Sequence, residues 1–286
     1  MKIIHTVADL RKEFDHLVNV GFVPTMGALH EGHLSLIERA IEEASVVVVS
    51  IFVNPTQFGD AVDFDRYPRT LETDVAMLES LPKVPDFLFV PSVQEVYPDG
   101  LDAPLAPRAG ALGSVFEGIS RPGHFEGMLH VVSWFFRAVR PQLAVFGAKD
   151  AQQLFLVKRM VHREFKDEIR ILEGETVRAK SMLALSSRNA RLSPEGLAIA
   201  PVLFETMVNA EELITEGVAP SIALQRARKR IESQPLAKLD YLALVSKETF
   251  APIADDFTGN AVMLVAAVID GVRLIDNISF YIREQE

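Results

Sequence analysis

The stretch from Gly21 to His33 constrains the fold more than any other part of the chain. It reads GFVPTMGALHEGH, so a short apolar segment leads through a glycine-containing turn to two histidines. From Leu34 to Ala44, apolar residues recur at the spacing of one helical face. The pattern predicts a strand, a turn and a helix in that order, with the histidines at the start of the helix.

His30 and His33 are three residues apart, so on a helix both side chains face the same side. A helix N-terminus offers unpaired N–H groups and the positive end of its dipole to phosphate oxygens. We interpret the pair as part of a site for a nucleoside triphosphate. Two alternatives stay open at this point. One is half of a metal site, which the absence of Cys and of an HExxH motif disfavours, and the other is a pair of capping or core histidines.

Composition excludes several classes of function. The 286 residues carry a formal net charge of −10, whereas a nucleic-acid-binding surface is normally basic. Cysteine is absent, which rules out disulfides, thiol catalysis and thiolate metal sites. The N-terminus acquires charge too early for a signal peptide, and the strongest apolar run, Val46 to Val53, is too short to span a membrane. We expect a cytoplasmic protein with neither nucleic acid nor membrane as a partner.

Strand-like and helical patterns alternate through the first part of the chain. Val46 to Val53 is a continuous apolar run, as in a strand of a parallel sheet covered by helices on both faces. The alternation predicts an α/β fold with a doubly wound parallel sheet in residues 1–176. The other candidate strands are 86–90, 143–146 and 168–172, and the candidate helices are 71–81, 131–139 and 150–163.

A second, smaller α+β domain is predicted for residues 177–286. Ser193 and Pro194 are typical of a helix start, as the cap and the first helical residue. Two helices are expected, one reaching Glu216 and one over 220–232, followed by a strand at 239–245. The Asp270-Gly271 pair between apolar runs 262–269 and 272–278 predicts a hairpin.

Polar residues follow the predicted strands, where ligands bind in doubly wound sheets. Gln57 lies beyond the strand of Val46, and Gly147-Ala-Lys149-Asp150 opens the helix that carries Gln153. Ser186, Ser187 and Arg188 form a candidate anion clamp. In isolation, Lys149 and Asp150 are better explained by an ordinary loop with a capping Asp. Each glutamine is about equally consistent with a solvated amide, and a polar turn is the common alternative for the Ser-Ser-Arg run. For the charged segment 63–74 we expect most charges to lie at the surface.

Six motifs occur in the order and spacing found in pantothenate synthetases (pantoate–β-alanine ligases), and the chain resembles this family from about Val23 to the final hairpin. They are PTMGALHEGH, SIFVNPTQFG, DRYPRT, RPGHFEGM, FGAKDAQQL and LALSSRNARLS. The family belongs to the nucleotidylyl-transfer superfamily, whose HxGH motif is shared with class I aminoacyl-tRNA synthetases. The resemblance implies a Rossmann-like N-terminal domain, a smaller C-terminal lid domain and a homodimer.

The resemblance also implies a reaction and a set of site residues. Pantoate reacts with Mg-ATP to give pantoyl adenylate and pyrophosphate, and β-alanine then gives pantothenate and AMP. His33 is the implied proton donor, with His30, Lys149 and Arg188 beside it in catalysis. Gln57 and Gln153 match the pantoate-binding glutamines, and Gln57 also borders the β-alanine position. The ATP-binding positions are Met26, Gly27, Ala28, Leu29, His30, Glu31, Gly32, His33, Gly147, Ala148, Lys149, Asp150, Val177, Leu185, Ser186, Ser187 and Arg188. No direct metal site is assigned, and Mg²⁺ is expected with ATP near Asp74 or Asp150.

The chain departs from the family pattern at two places. Ala148 and Ala151 stand where FGEKDYQQ is common, and residues 179–182 replace a segment that commonly contains an acidic residue and Gly. These departures spare the substrate positions but bear on the hinge near the domain junction. Two other functions therefore stay open: a related nucleotidyltransferase that needs no amine, and a non-catalytic nucleotide-binding homologue.

Overall fold

The computed structural model describes residues 1–14, 17–59 and 64–284. The chain divides into two compact units. The first consists of Met1–Ala148 and Gln152–Glu175, and the second of Lys149–Ala151 and Thr176–Glu286. Within the described ranges, no helix combines the length and apolarity needed to cross a membrane.

The first unit contains a six-stranded sheet in which every pair of neighbouring strands is parallel. The spatial order is β1-β4-β3-β2-β5-β6. The prediction of a doubly wound parallel sheet is therefore confirmed. The strands are β1 (Lys2–Ile4), β2 (Val20–Thr25), β3 (Val46–Ile51), β4 (Phe87–Phe89), β5 (Leu143–Gly147) and β6 (Arg170–Gly174).

Helices connect these strands, as right-handed crossovers between parallel strands require. The longest, α6, begins at His124 rather than at residue 131, because buried Phe125, Met128 and Leu129 extend its apolar face towards the N-terminus. The helices are α1 (Val7–Phe14), α2 (Glu31–Glu43), α3 (Leu71–Glu79), α4 (Val93–Val96), α5 (Glu117–Ser120), α6 (His124–Val139) and α7 (Ala151–Glu164), with 3₁₀ turns at Pro55–Gln57 and Gly110–Ser114.

The sheet is covered on both faces, which explains the uninterrupted apolar strands. Successive side chains of a strand point to opposite faces. Phe22 accordingly belongs to one core cluster, with α6, and Val23 to the other, with α2. Val48 and Val49 of β3 divide between the clusters in the same way. A strand buried on both sides has no position where a polar side chain meets water, so polar residues concentrate beyond the strand ends.

The second unit packs three helices against an antiparallel sheet of order β7-β8-β9. The predicted hairpin is confirmed: Asp270 and Gly271 both have positive φ, of 49° and 74°, as a two-residue turn of this kind requires. Its strands are longer than the apolar runs indicated. The elements are α8 (Pro194–Ile199), α9 (Val202–Thr215), α10 (Pro220–Glu232), β7 (Ala237–Ser246), β8 (Gly259–Ile269) and β9 (Val272–Ile282), with a 3₁₀ turn at Ser187–Arg191.

The helix predicted to reach Glu216 is two helices. Ser193 caps α8 and Pro194 follows it, as expected, but α8 ends at Ile199. Pro201 then occupies the N-cap of α9. Proline has no N–H to continue the helical ladder, so the chain restarts its helix there although the apolar pattern runs on.

A close backbone approach joins α6 to the loop after β3. A Cβ atom at Gly127 would lie 2.4 Å from the carbonyl oxygen of Thr56 and 2.8 Å from the amide nitrogen of Gln57. Only glycine allows this contact, because backbone atoms cannot move aside as a flexible side chain can. The 3₁₀ turn that carries Gln57 is thereby held against α6.

We predict that Gly127→Ala destabilises the first unit by about 1–3 kcal/mol through this overlap. Helix propensity alone predicts the opposite sign, a gain of about 1 kcal/mol. Urea unfolding followed by the fluorescence of Trp134, the single tryptophan, measures the difference. Gly59→Ala is the matched control, because the nearest atom there is 3.9 Å away. Unchanged or increased stability of Gly127→Ala would contradict the steric account.

Candidate active site

The site begins at the carboxyl end of β2, where the sheet order changes direction. The chain leaves β2 for β3 on one side, and β5 pairs with β2 on the other. Such a switch point is where doubly wound folds leave a crevice for ligands. Residues 26–30 connect the end of β2 to α2, and the segment from Gly147 follows the end of β5.

The loop after β2 contains two left-handed residues. Gly27 has φ 79° and Ala28 has φ 50°. A Cβ at Gly27 would lie 2.9 Å from Oδ2 of Asp74 and 3.1 Å from Cγ2 of Ile51, so conformation and space both require glycine. Ala28 adopts a conformation that is unfavourable for a residue with a Cβ. A strained backbone needs a fixed partner to hold it.

Asp74 is that partner. Its Oδ2 accepts the N–H of Ala28 at 3.0 Å, and its Oδ1 accepts the N–H of Leu29 at 2.8 Å. The residue is 2 % exposed and lies in the first turn of α3. Of the charged segment 63–74, Asp63 lies outside the described residues, and Asp74 is a buried exception to the expected surface charges. Its spacing of four residues from buried Leu78 is the sequence signal that places it on the inner face of the helix.

His30 and His33 form a reciprocal cap rather than lying together inside the first turn. His30 is the N-cap of α2, and its Nδ1 accepts the N–H of Gly32 at 3.2 Å. His33 is the third helical residue, and its Nδ1 accepts the N–H of His30 at 3.3 Å. The ring centroids are 4.2 Å apart. Ser, Thr, Asp or Asn usually occupies the N-cap position. N-cap preferences therefore do not predict a histidine there.

The cap determines the tautomer of both imidazoles. In a neutral ring one nitrogen accepts and the other carries the proton. Because each Nδ1 accepts a backbone N–H, each ring carries its proton on Nε2. The two histidines can therefore be helix caps and functional groups at once. Each caps the helix through Nδ1 and has Nε2–H as its hydrogen-bond donor.

Gln57 lies close to the same loop. It is 6 % exposed, and its Nε2 is 2.8 Å from Sδ of Met26. Gln153 is half-buried on α7, whereas its neighbour Gln152 is 4 % exposed and donates to the carbonyl oxygens of Leu112 and Val115. The amide NH₂ of Gln152 is used to hold the segment that contains Leu112 and Val115. Of the two adjacent glutamines, Gln153 is the one that suits a ligand.

In the second unit, residues 177–185 form a short hairpin that leads into the candidate clamp. Arg178 pairs with Ala184, and the N–H of Leu185 donates to the carbonyl of Val177 at 2.9 Å. Ser186 then caps the 3₁₀ turn, with its Oγ accepting the N–H of Arg188 at 3.3 Å. Met182, in the segment that departs from the family pattern, has φ 70°. The turn therefore keeps a left-handed position although no glycine is there.

Asp276 and Asn277, two consecutive residues of β9, hydrogen-bond to the segments that contain Arg178 and Lys149. Asp276 accepts both guanidinium nitrogens of Arg178, at 2.6 and 2.9 Å, and this guanidinium lies 3.8 Å from the ring centroid of Phe204. Asn277 donates from Nδ2 to the carbonyl of Lys149 at 2.8 Å. The ammonium group of Lys149 lies 3.9 Å from Oδ1 of Asp150. No local motif in the sequence pointed to β9 as their common support.

Across the parts of the chain that the structure describes, no group of three or more His, Asp or Glu side chains could hold a metal ion. Both oxygens of Asp74 accept backbone N–H groups. The side chain of Asp150 is 48 % exposed.

Comparison with known proteins identifies the family of the chain. The family model described as pantoate-beta-alanine ligase matches residues 2–279. Pantothenate synthetase from Leifsonia xyli is 47% identical over 90% of this chain and 88% of its own length. A crystal structure of pantothenate synthetase from Thermus thermophilus has 45% identity and a TM-score of 0.89, covering 97% of this chain and 99% of that chain. A pantoate-beta-alanine ligase from Francisella tularensis, complexed with beta-gamma ATP and beta-alanine, has 36% identity and a TM-score of 0.76, covering 97% of each chain.

We predict that Asp74→Ala lowers the free energy of unfolding of the first unit by about 2–5 kcal/mol. A buried N–H left without an acceptor costs about 1–3 kcal/mol, which applies in full to Leu29, and the cost is somewhat smaller for the part-buried N–H of Ala28. Urea unfolding followed by Trp134 fluorescence tests this. Glu72→Ala is the matched control, since Glu72 is exposed in the same first turn of α3. Equal stability of the two variants would show that Asp74 does not hold the loop.

Proposed function

Because the chain belongs to the pantoate–β-alanine ligase family, we propose that it condenses pantoate with β-alanine at the expense of ATP, through a pantoyl adenylate. The observation that carries this proposal is the pair of Nε2–H donors at the N-terminus of α2, at the switch point of the sheet. The positive end of the α2 dipole and the imidazole donors together suit a triphosphate, and the family match covers residues 2–279.

The chemistry has two steps. In the first, a carboxylate oxygen of pantoate attacks the α-phosphorus of ATP, and the bond to the bridging oxygen breaks to release pyrophosphate. In the second, the amine of β-alanine attacks the acyl carbon of pantoyl adenylate, loses a proton, and displaces AMP. Neither step needs a nucleophile from the protein, so a chain without cysteine can perform both.

The loop from Met26 to Leu29, together with residues 30–33, is proposed to receive the phosphates of ATP. Negative charge grows on the bridging oxygen as pyrophosphate leaves, and donors already in position stabilise it without reorganising. We assign His33 as proton donor and His30 as its neighbour because the cap leaves Nε2–H as the donor of each ring. Helix α2 supplies its N-terminal dipole at the same place.

The second unit is proposed to contribute further cations and the nucleoside contacts. Lys149 supplies a point charge, and Arg188 a forked donor beside Ser186 and Ser187. Backbone groups of Val177 and Leu185 are proposed to border adenine. Asp150, together with Gly147 and Ala148 of the first unit, is proposed to complete the ATP contacts. Support comes from two contacts of β9, the ion pair of Asp276 with Arg178 and the hydrogen bond from Asn277 to the carbonyl of Lys149.

Gln57 and Gln153 are proposed to bind pantoate, with Gln57 also bordering β-alanine. Both are uncharged, so they can orient the carboxylate without pairing it as tightly as a close arginine would, and the carboxylate remains a nucleophile. Positioning of two substrates supplies much of the remaining rate enhancement.

Mg²⁺ is proposed to enter with ATP, where it neutralises charge on the phosphate oxygens. Asp150 is the better of the two candidate carboxylates, because Asp74 already accepts two backbone N–H groups. The resemblance to the family further supports a homodimer acting in the cytoplasm.

A substrate-omission assay separates this function from the alternatives. With pantoate, β-alanine and Mg-ATP, we expect equal amounts of pantothenate, AMP and pyrophosphate, because one adenylate is consumed for each amide formed. Omitting β-alanine should confine the reaction to about one turnover, because the adenylate then has no amine to accept it. Production of ADP would contradict the adenylate route. Sustained pyrophosphate release without any amine would indicate a nucleotidyltransferase, and ATP binding without turnover a non-catalytic homologue.

We predict that His33→Ala lowers kcat by about 10²–10³-fold, the usual cost of removing one preorganised donor to a developing negative charge. The readout is pyrophosphate release in a single turnover with pantoate and ATP, alongside the unfolding curve. His162→Ala is the matched control, since His162 is exposed and pairs with Asp167. A folded His33→Ala variant with unimpaired adenylate formation would remove His33 from the mechanism.

A further inference from the structure

Tyr97 is a buried tyrosine next to the candidate pantoate site. It follows α4, is 4 % exposed, and its ring stacks on His130 with the centroids 5.2 Å apart. Its hydroxyl donates to Oδ1 of Asn54 at 2.6 Å and lies 2.8 Å from Oγ1 of Thr56. Burial raises the pKa of Tyr97, which favours the protonated hydroxyl that donates to Asn54.

The amide of Asn54 has only one possible orientation. Its Oδ1 faces the backbone N–H of Thr56 at 3.4 Å, which can only donate. Its Nδ2 faces the carbonyl of Gly127 at 3.0 Å, which can only accept. The residue is 1 % exposed, so water does not compete for either end. The donation from Tyr97 to Oδ1 agrees with both backbone contacts and strengthens the same orientation.

This orientation in turn decides which end of Gln57 meets a ligand. Nδ2 of Asn54 donates to Oε1 of Gln57 at 3.1 Å, so the amide oxygen is turned inward. Nε2 of Gln57 is turned towards Sδ of Met26, at 2.8 Å, and a thioether sulfur is a weak acceptor. Nδ1 of His124 holds the backbone carbonyl of Gln57 at 2.9 Å. A ligand oxygen is a better partner than the thioether for this amide NH₂.

We propose that Tyr97 is a positioning residue which, through Asn54, fixes the Gln57 amide with its NH₂ group towards pantoate. This rests on the proposed function, in which Gln57 binds pantoate. The consequence is specificity for an oxygen acceptor, such as a carboxylate or hydroxyl oxygen of the hydroxy acid. An amide turned the other way would present its carbonyl oxygen to an anion, and would repel it.

Tyr97→Phe tests the relay because it keeps the ring on His130 and removes only the hydroxyl. We expect the KM for pantoate to rise about 5–10-fold, the equivalent of one hydrogen bond of about 1 kcal/mol, while the KM for ATP changes less than about twofold. His130→Phe is the matched control, since it disturbs the same aromatic pair and leaves the hydroxyl in place. It should leave the KM for pantoate unchanged.

A double-mutant cycle distinguishes a positioning role of Tyr97, acting through Gln57, from a general loss of local structure. Calorimetry would measure the Kd of pantoate for the wild type, Tyr97→Phe, Gln57→Ala and the double variant. If Tyr97 acts through Gln57, the hydroxyl has no effect on the Kd in the Gln57→Ala background. The same loss in both backgrounds, an unchanged KM for pantoate, or an equal rise for ATP would overturn the proposal.

A second variant tests the amide polarity directly, and does not depend on Tyr97→Phe folding. Gln57→Glu keeps an oxygen towards Asn54 but places carboxylate oxygen where the NH₂ group stands. We expect it to bind pantoate more weakly than Gln57→Ala, because it adds repulsion to the lost donor. Binding equal to the wild type would overturn the proposal. Failure of the wild type to bind pantoate would instead overturn the proposed function, on which this inference rests.

Discussion

The carboxylate of Asp74 is the constraint on which the rest of the site depends. By accepting the N–H groups of Ala28 and Leu29 it holds the loop after β2 in a conformation that the loop would not keep alone. Hydrogen bonds to a charged group contribute about 1.5–3 kcal/mol each, so the two together exceed the roughly 1–2 kcal/mol of strain in one left-handed alanine. Because the loop is held, α2 starts at His30, and the two imidazoles cap each other in one geometry. The direction of both Nε2–H donors follows from a carboxylate on another helix.

The second unit is held in a similar way, because buried polar side chains hydrogen-bond to the segments that contain Arg178 and Lys149. Asp276 is 5 % exposed and binds Arg178 through both guanidinium nitrogens, and adjacent Asn277 binds the carbonyl of Lys149. The Asn54 amide plays this part for Gln57 in the first unit. In the first unit this bond sets the orientation of the Gln57 amide, which is proposed to meet substrate, and in the second unit the Asn277 bond holds the backbone of Lys149. Groups held in position before substrate binds need less reorganisation during the reaction, as preorganised catalysis requires.

The sequence predicted the parts of this protein that depend on local patterns. Uninterrupted apolar runs gave the parallel strands, and the Asp270-Gly271 pair gave the final hairpin. It could not predict features that depend on distant contacts or on one unfavourable residue. Pro201 breaks a helix whose apolar pattern continues, and the burial of Asp74 depends on a loop far away in the chain. His30 as a helix cap runs against propensity, although the motif around it predicted that a helix starts there. The pairing of Asn54 with Tyr97 leaves no trace in local spacing, because the two lie 43 residues apart.

The most direct test of the central claim follows oxygen from pantoate into AMP. In the proposed reaction a carboxylate oxygen of pantoate forms the new bond at the α-phosphorus and leaves with AMP when the amide forms. Pantoate labelled with ¹⁸O at both carboxylate positions, incubated with ATP, Mg²⁺ and β-alanine, should give AMP with one ¹⁸O atom and pantothenate with one, by mass spectrometry of both products. AMP without label, or label in pyrophosphate or phosphate, would contradict attack at the α-phosphorus and with it the roles given to both histidines.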